Sequence, residues 1–490
     1  MSHTTDGTPG PGRRADRADR TRRKRRTGLA WWAGGLAVLL VGYGALDAAD
    51  AVPGLLTTQP PIEVQALPRP SAVAAEVAGP SPLPEDAPVP QDLASLVEPV
   101  LEEADLTGRL AYDVRDALTG DVLLAQGEDT ASTPASVTKV LTGAAALGAL
   151  GADARFTTRA VLDDSSGSPV VHVVGGGDVL LGEGESDPDT VLGRAGLATL
   201  AQRTAEELSA AGVSSVRVAA DLSRYSGDGW HSGWDRADIG SGYITPIVPL
   251  MQESGFEEPG QRYSSRYEDA AGVALDTFTS ALQDAGIDAE AAQPAASPQD
   301  ATELASVDSA PVSQMVEFML VNSDNVVAEV LGREVALATG PEASAEESPA
   351  AVIDALAAQD LDTGSITLED TSGLDYDNRI SAHDLTTIVQ ASAQADGDLS
   401  LLIPAMPVGG LTGTLFDRYR DEDSSAGAGV VHAKTGSLAT VSSLAGTVLT
   451  ADDRLLVFSF MADEMDRGTS LEARAAFDTA LARIAECGCS

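Results

Sequence analysis

Lysine is nearly absent from this chain. Of its 490 residues, 31 are Lys or Arg; only Lys24, Lys139 and Lys434 are lysines. Arginine stays charged in a protein, whereas a buried lysine can give up its proton. Two explanations stand side by side. The Ala- and Arg-rich bias of a GC-rich coding sequence explains the scarcity. A need for a titratable amine explains why two lysines persist in the body of the chain.

Cysteine is equally scarce. Cys487 and Cys489 lie in the last four residues, which excludes a disulfide framework. One intervening residue would strain a bridge between them, so thiols are expected there. The five histidines, at 3, 172, 231, 383 and 432, are scattered. No structural metal and no cofactor are expected. Aromatics make up 4% of residues, so the core must come from Ala, Val and Leu. Positive charge is short: 74 acidic residues against 31 basic give a net charge of −43. That balance argues against nucleic acid or anionic lipid as a ligand of the body. A solvated acidic surface is the plainer reading.

The basic residues that exist crowd the N-terminus. Arg13 to Arg26 supply nine of them, so the rest of the chain is more acidic than the whole. Residues 28–46 then run uncharged for 19 positions, long enough to span a bilayer. The positive-inside rule keeps residues 1–27 in the cytoplasm and sends the remainder outward. An uncleaved anchor is expected over a cleaved signal peptide, for which Ala49-Asp50-Ala51 offers a small-x-small site. Residues 47–91 are a Pro- and Ala-rich linker. Folded structure is expected from about Asp92.

Beyond the linker the expected fold class is α/β. A hairpin starts near Arg109 and turns at Leu118-Thr119-Gly120. A helix follows, with Ser132 or Thr133 as its cap and Pro134 in its first turn. Short strands alternate with Gly-stopped helices up to about Leu304. Long helices return from Pro311, then strands, then a last helix. Strands at both ends of one domain imply a single sheet closed by distant segments. The expected division is therefore 92–157 with 305–490 as one domain, and 158–304 as an α+β insert.

Three short stretches carry chemistry. Ser136 and Lys139 are three apart on a helix and share a face. A serine is a weak nucleophile without a base, and a lysine kept neutral by burial can be that base. Ser323-Asp324-Asn325 interrupts an apolar helix. It is either a local break or cap, or a polar group facing a cleft, with Ser323 relaying a proton and Asn325 donating to a substrate carbonyl. Lys434-Thr435-Gly436-Ser437 lies between β-rich runs. It is either an exposed turn, or a strand whose Gly436 admits a ligand backbone while Lys434 and Thr435 meet a carboxylate. Each alone is weak.

Together, in this order, they resemble the serine, S-D-N and K-T-G elements of penicillin-binding proteins and class A β-lactamases. The resemblance narrows to the D-alanyl-D-alanine carboxypeptidase/endopeptidase family of the penicillin-binding protein 4 type, peptidase family S13. The 187-residue gap from Ser136 to Ser323 fits its large insert. VVGGGDVLL (173–181), YITPIVPL (243–250) and EDTSGLDYDNRISAHDL (369–385) are similar to family segments. Thr371 and Asp375 depart from the family's Asp-Gly-Ser-Gly-Leu-Ser, and the GGGD stretch lacks a following Pro-Thr.

The resemblance implies a β-lactamase/transpeptidase-like domain, an antiparallel sheet flanked by helices, with an inserted region. It implies acyl transfer on D-Ala-D-Ala stem peptides of peptidoglycan. Ser136 would be the nucleophile and Lys139 its base. Ser323, Asn325 and Lys434 would complete the catalytic set, and Thr435, Gly436 and Ser437 would bind substrate. Backbone N–H groups of Ser136 and Ser437 would form the oxyanion hole. β-Lactams would acylate Ser136. The place of action would be the outer face of the bacterial membrane, or the cell wall after cleavage. A β-lactamase is the nearest alternative, but no Glu-x-x-x-Asn follows Asn325. A non-catalytic cell-wall module would have no use for the Ser–Lys pair.

Overall fold

Two five-stranded sheets organise the chain in the computed structural model, which describes residues 84, 87–261, 264–340 and 342–488. The expected span at 28–46 lies outside the described residues. Among the described residues, no helix is long and apolar enough to cross a membrane.

The first sheet is antiparallel and joins distant parts of the sequence. Its order is β2-β1-β10-β9-β8. The hairpin β1 (Arg109–Asp116) and β2 (Val122–Gln126) comes early. The strands β8 (Val431–Leu438), β9 (Val441–Leu449) and β10 (Leu455–Asp463) come late. β1 pairs with β10 from Arg109↔Asp463 to Asp116↔Leu456. Side chains alternate between the two faces, as a period of two requires. Tyr112, Val114, Phe458 and Phe460 face α1 (Leu93–Glu103) and α10 (Ser470–Ala485). Ala111, Val457 and Met461 face the larger helical core. The few aromatics are concentrated: Phe460 stacks on Phe477 with ring centroids 5.4 Å apart.

That helical core is built on α2 (Thr138–Leu150). Around it lie α6 (Val312–Asn322), α7 (Asn325–Thr339), α8 (Ser348–Ala357) and α9 (Ala382–Gln394). Small residues let α2 be enclosed. A Cβ on Gly143 would sit 3.0 Å from Leu402 and 3.2 Å from Val316. The expected hydroxyl cap is not found. α2 starts at Thr138, after a 3-10 turn, and its N-cap position is Val137. Ser132 is bridged to Ile380 instead, and the Thr133 hydroxyl donates to the Tyr376 carbonyl. Both residues are held by tertiary contacts that compete with capping.

The second sheet is mixed and ordered β6-β5-β4-β3-β7. Its strands are β3 (Thr157–Asp163), β4 (Val170–Val174), β5 (Ser215–Asp221), β6 (Asp288–Ala291) and β7 (Thr302–Asp308). β4–β5 and β5–β6 are parallel, and β3 is antiparallel to both neighbours. α3 (Leu197–Ala210) and α5 (Ala270–Asp284) cover it with their own apolar core. A short helical turn, α4 (Ala237–Gly240), lies in the long crossing between them.

Cys487 is disulfide-bonded, which corrects the expectation of a thiol there. Cys489 lies outside the described residues.

A buried ion pair ties the loop before β8 to the last helix. Arg418 Nε lies 2.9 Å from each carboxylate oxygen of Asp478. Burying two charges is tolerable only as a pair. Asp478→Ala therefore leaves an uncompensated guanidinium. The expected loss is about 3–5 kcal/mol, read as a lower urea midpoint. An unchanged midpoint would show the pair to be energetically idle.

Candidate active site

The three sequence stretches meet at one cleft. The turn Ala135–Val137 carries Ser136, which is half-buried within a run of buried neighbours. Two glycines clamp this turn. A Cβ on Gly373 would stand 2.0 Å from the Ala135 carbonyl oxygen. A Cβ on Gly436 would stand 2.6 Å from that of Pro134 and 2.1 Å from Ser443 Oγ. The space at Gly436 is thus filled by the Ser443 hydroxyl and the Pro134 carbonyl, a reason for glycine there that the sequence did not suggest.

Lys139 lies one turn further on, with no exposed surface. Its Nζ is 3.1 Å from Ser136 Oγ, 2.6 Å from Asn325 Oδ1 and 2.6 Å from the Ser372 carbonyl oxygen. A neutral amine has two N–H groups and one lone pair. Asn325 Oδ1 and Ser372 O can only accept, so they take both protons. The lone pair is left for the hydroxyl of Ser136. Burial pushes the Lys139 pKa down to about 8, opposed by Asp370, Asp324 and Glu329 and assisted by Arg266.

Asn325 is fixed at both ends of its amide, because Nδ2 donates to the Tyr243 carbonyl at 2.9 Å. Its oxygen accepts from Lys139, and one of its two N–H groups is taken by Tyr243, which leaves the second for the expected donation to a substrate carbonyl. The neighbouring Ser323 does break the helix, with φ 56° and ψ 38°, at the end of α6. Asp324 caps α7 by accepting from Val327 N at 3.0 Å. The break-and-cap reading of Ser323-Asp324-Asn325 is what the structure shows, and the same residues also meet both buried lysines. The cap frees the Ser323 side chain to meet Lys434, whose Nζ lies 2.9 Å from Ser323 Oγ and 2.7 Å from the Thr435 carbonyl. Burial, then the charge of Lys139, pushes the Lys434 pKa well down.

Lys434 to Ser437 lie on β8, an edge strand. Ala433 N donates to Pro407 O, away from β9. Backbone groups at every second residue share a side, so the N–H of Ser437 faces the same free edge.

A support behind Lys139 centres on Asp370, in the family-like 369–385 segment, though its partners were not evident in the sequence. Asp370 Oδ1 accepts from Gly373 N at 2.7 Å and Asn378 Nδ2 at 3.0 Å. Its Oδ2 accepts from Asp375 N at 2.8 Å and Trp234 Nε1 at 2.9 Å. These bonds shape the turn that presents the Ser372 carbonyl. His231 pairs with Asp375 at 3.3 Å; the bond raises the His231 pKa and lowers that of Asp375. Arg266 and Ser254 hold the Asp324 carboxylate at 3.1 Å and 2.9 Å. Glu329, one turn after Asn325, is sealed from solvent, and burial lifts its pKa to about 7. The two departures noted in the 369–385 segment have local partners: Asp375 has His231, and Thr371 Oγ1 donates to the Ala328 carbonyl at 3.1 Å. Among the described residues, no cluster of three His, Cys, Asp or Glu is placed to hold a metal.

A serine beside a buried lysine, with a second Ser–Lys pair next to it, is an arrangement suited to acyl transfer through a serine nucleophile. The chain belongs to the D-Ala-D-Ala carboxypeptidase 3 (S13) family, whose sequence profile matches residues 93–262 and 257–484. A carboxypeptidase of Mycobacterium tuberculosis is 36% identical over 80% of this chain and 83% of its own length. Carboxypeptidase DacB of Mycolicibacterium smegmatis is 35% identical over 93% of this chain and 95% of its own. The crystal structure of penicillin binding protein 4 from Haemophilus influenzae shares the fold. It superposes with a TM-score of 0.64 at 20% identity, covering 78% of this chain and 98% of that one.

Two outcomes follow from this geometry. With Lys139 titrating near pH 8, the rate of Ser136 acylation should fall about tenfold per pH unit below that point. A flat profile from pH 6 to 8 would remove Lys139 as the base. Gly436→Ala should push the 134–136 turn off its geometry and cost about 100-fold in acylation, with the circular dichroism of the parent retained. Parental acylation by that variant would contradict the clamp.

Proposed function

We propose that the chain is a serine-type D-Ala-D-Ala carboxypeptidase acting on peptidoglycan stem peptides, with Ser136 as nucleophile and Lys139 as general base. The observation that carries the assignment is the three-way environment of Lys139 Nζ, which leaves its lone pair only Ser136.

The Ser136 proton passes to Lys139 as Oγ attacks the carbonyl between the two D-alanines. The N–H groups of Ser136 and Ser437 receive the oxyanion, each worth about 3–4 kcal/mol at such sites. Ser323, bonded to Lys434, delivers a proton to the departing amine, and D-Ala leaves. Water then releases the acyl-enzyme. Lys434 and Thr435 meet the terminal carboxylate. Gly436 serves by its lack of a side chain. A β-lactam is opened by the same attack, but its amine stays tethered and blocks the path of water, so the adduct persists. The same residues serve an endopeptidase reaction on cross-linked stems.

The enzyme works outside the cytoplasmic membrane. The basic residues 1–27 and the uncharged run 28–46 support an N-terminal anchor. The disulfide at Cys487 is in keeping with an oxidising compartment.

The test is intact mass after incubation with benzylpenicillin, for the parent and for Ser136→Ala. A stable adduct on the parent alone is expected, together with D-Ala release from a stem pentapeptide. Rapid drug hydrolysis without an adduct would favour a β-lactamase. No adduct, no hydrolysis and no D-Ala release would leave a non-catalytic wall module.

A further inference from the structure

The corner of the cleft beyond Lys434 holds a group that the three sequence motifs do not include. Thr414 sits in the single turn Gly413–Leu415. Its Oγ1 lies 2.9 Å from Oγ1 of Thr435.

The turn is wedged in place from both sides. Gly413 takes φ +54°, and an added Cβ would stand 2.5 Å from the carbonyl oxygen of Val321, two residues before Ser323. On the other side, Val408 is bridged to His432, and Gly409 N donates to the Val431 carbonyl. Thr412 Oγ1 accepts from Val408 N at 2.9 Å and closes the loop on itself. Arg418, bound to Asp478, anchors its far end. Thr414 is therefore fixed between the segment that ends in Ser323 and the strand that carries Lys434.

This corner has the makings of a carboxylate site. Among the described residues, Lys434 Nζ bonds only to Ser323 Oγ and the Thr435 carbonyl, and no carboxylate pairs with it. A buried amine without a counter-charge favours the arrival of an anion. A hydroxyl has one proton to give. If Thr435 gave its proton to Thr414, it would have none for a ligand. If Thr414 donates instead, the Thr435 O–H is free, and donation along the chain strengthens it.

We propose that Thr414 is a positioning residue for the substrate's terminal carboxylate: its hydroxyl donates to Thr435 Oγ1 and turns the Thr435 O–H towards the carboxylate that Lys434 neutralises. This rests on the carboxypeptidase reading and extends it. The geometry then selects peptides with a free C-terminal carboxylate, and β-lactams with a free carboxylate beside the ring nitrogen.

The test uses the full chain and the variants Thr414→Val and Thr414→Ser. Acylation rate constants are measured with benzylpenicillin and with its methyl ester, alongside kcat and KM on a D-Ala-D-Ala peptide. Thr414→Val should slow benzylpenicillin about tenfold, and the ester less than about twofold, because only the acid uses the aligned hydroxyl. On the peptide the loss should fall mainly on KM. Thr414→Ser should recover the parent values within about twofold. Equal losses on acid and ester would mark a merely structural residue and overturn the proposal, as would no loss on either. A parent acylated by neither compound would overturn the proposed function, and this inference with it.

Discussion

Everything near the cleft depends on keeping one lysine amine buried and short of protons. Lys139 lies in a helix with no exposed surface, and burial alone makes its charge costly. With its pKa near 8, about one amine in ten is neutral at pH 7. The partners sort the two states. Asn325 Oδ1 and the Ser372 carbonyl take the two protons of the neutral form, and in the charged form the third proton points at Ser136. The same geometry therefore serves both before and after proton transfer. Little reorganisation is needed at the moment of reaction, which is what a preorganised site supplies.

The cage around that amine is built from segments far apart in sequence. Asn325 is oriented by the Tyr243 carbonyl and anchored by Asp324 at the start of α7. Asp324 is held by Arg266 and Ser254. Ser372 is presented by the turn that Asp370 organises, and Asp370 is held by Trp234. Residues 231–266 thus support both partners of Lys139, Asn325 directly through Tyr243 and the Ser372 turn through Trp234 and Asp370. The charges balance too. Asp370, Asp324 and Glu329 raise the lysine pKa while burial and Arg266 lower it. A fully apolar surround would leave the amine neutral but without acceptors, and a simple carboxylate partner would keep it charged. The mixed cage sets the value between these limits.

Much of this was legible in the sequence, and particular residues show why. Ser136 with Lys139 could be read because a helix fixes which residues share a face. Lys434 stood out because the chain uses so few lysines. The strands of the first sheet and β3, β4 and β5 of the second could be read from their β-branched runs; β6, with the sequence DAEA, and β7 gave no such signal. The glycine before Ser437 was recognisable, but its purpose was not. Only coordinates show that the Pro134 carbonyl occupies the space a side chain would need. The cap of α2 was misread because Ser132 and Thr133 have tertiary partners that no local rule predicts. Trp234 and Thr414 carry no pattern of their own: each meets a partner more than 20 positions away, Asp370 and Thr435, and such pairings leave no mark in a single sequence.

Two residues next to the reacting groups carry a strained backbone, and their surroundings show how it is held. Ala135 and Ser323 both take positive φ, at 51° and 56°, without being glycine. Such conformations persist only where the surroundings over-determine them. At Ala135 the surroundings are Gly373 on one side and Gly436 on the other, each close enough to exclude a Cβ. At Ser323 they are the end of α6 and the Asp324 cap of α7. The result is that two serines, each beside its own lysine, are turned into one cleft from opposite walls. Neither a regular helix nor a strand could aim both hydroxyls inward while keeping both amines buried. The strain is small beside the packing of the two elements, and it gives the cleft its two separate proton-handling pairs.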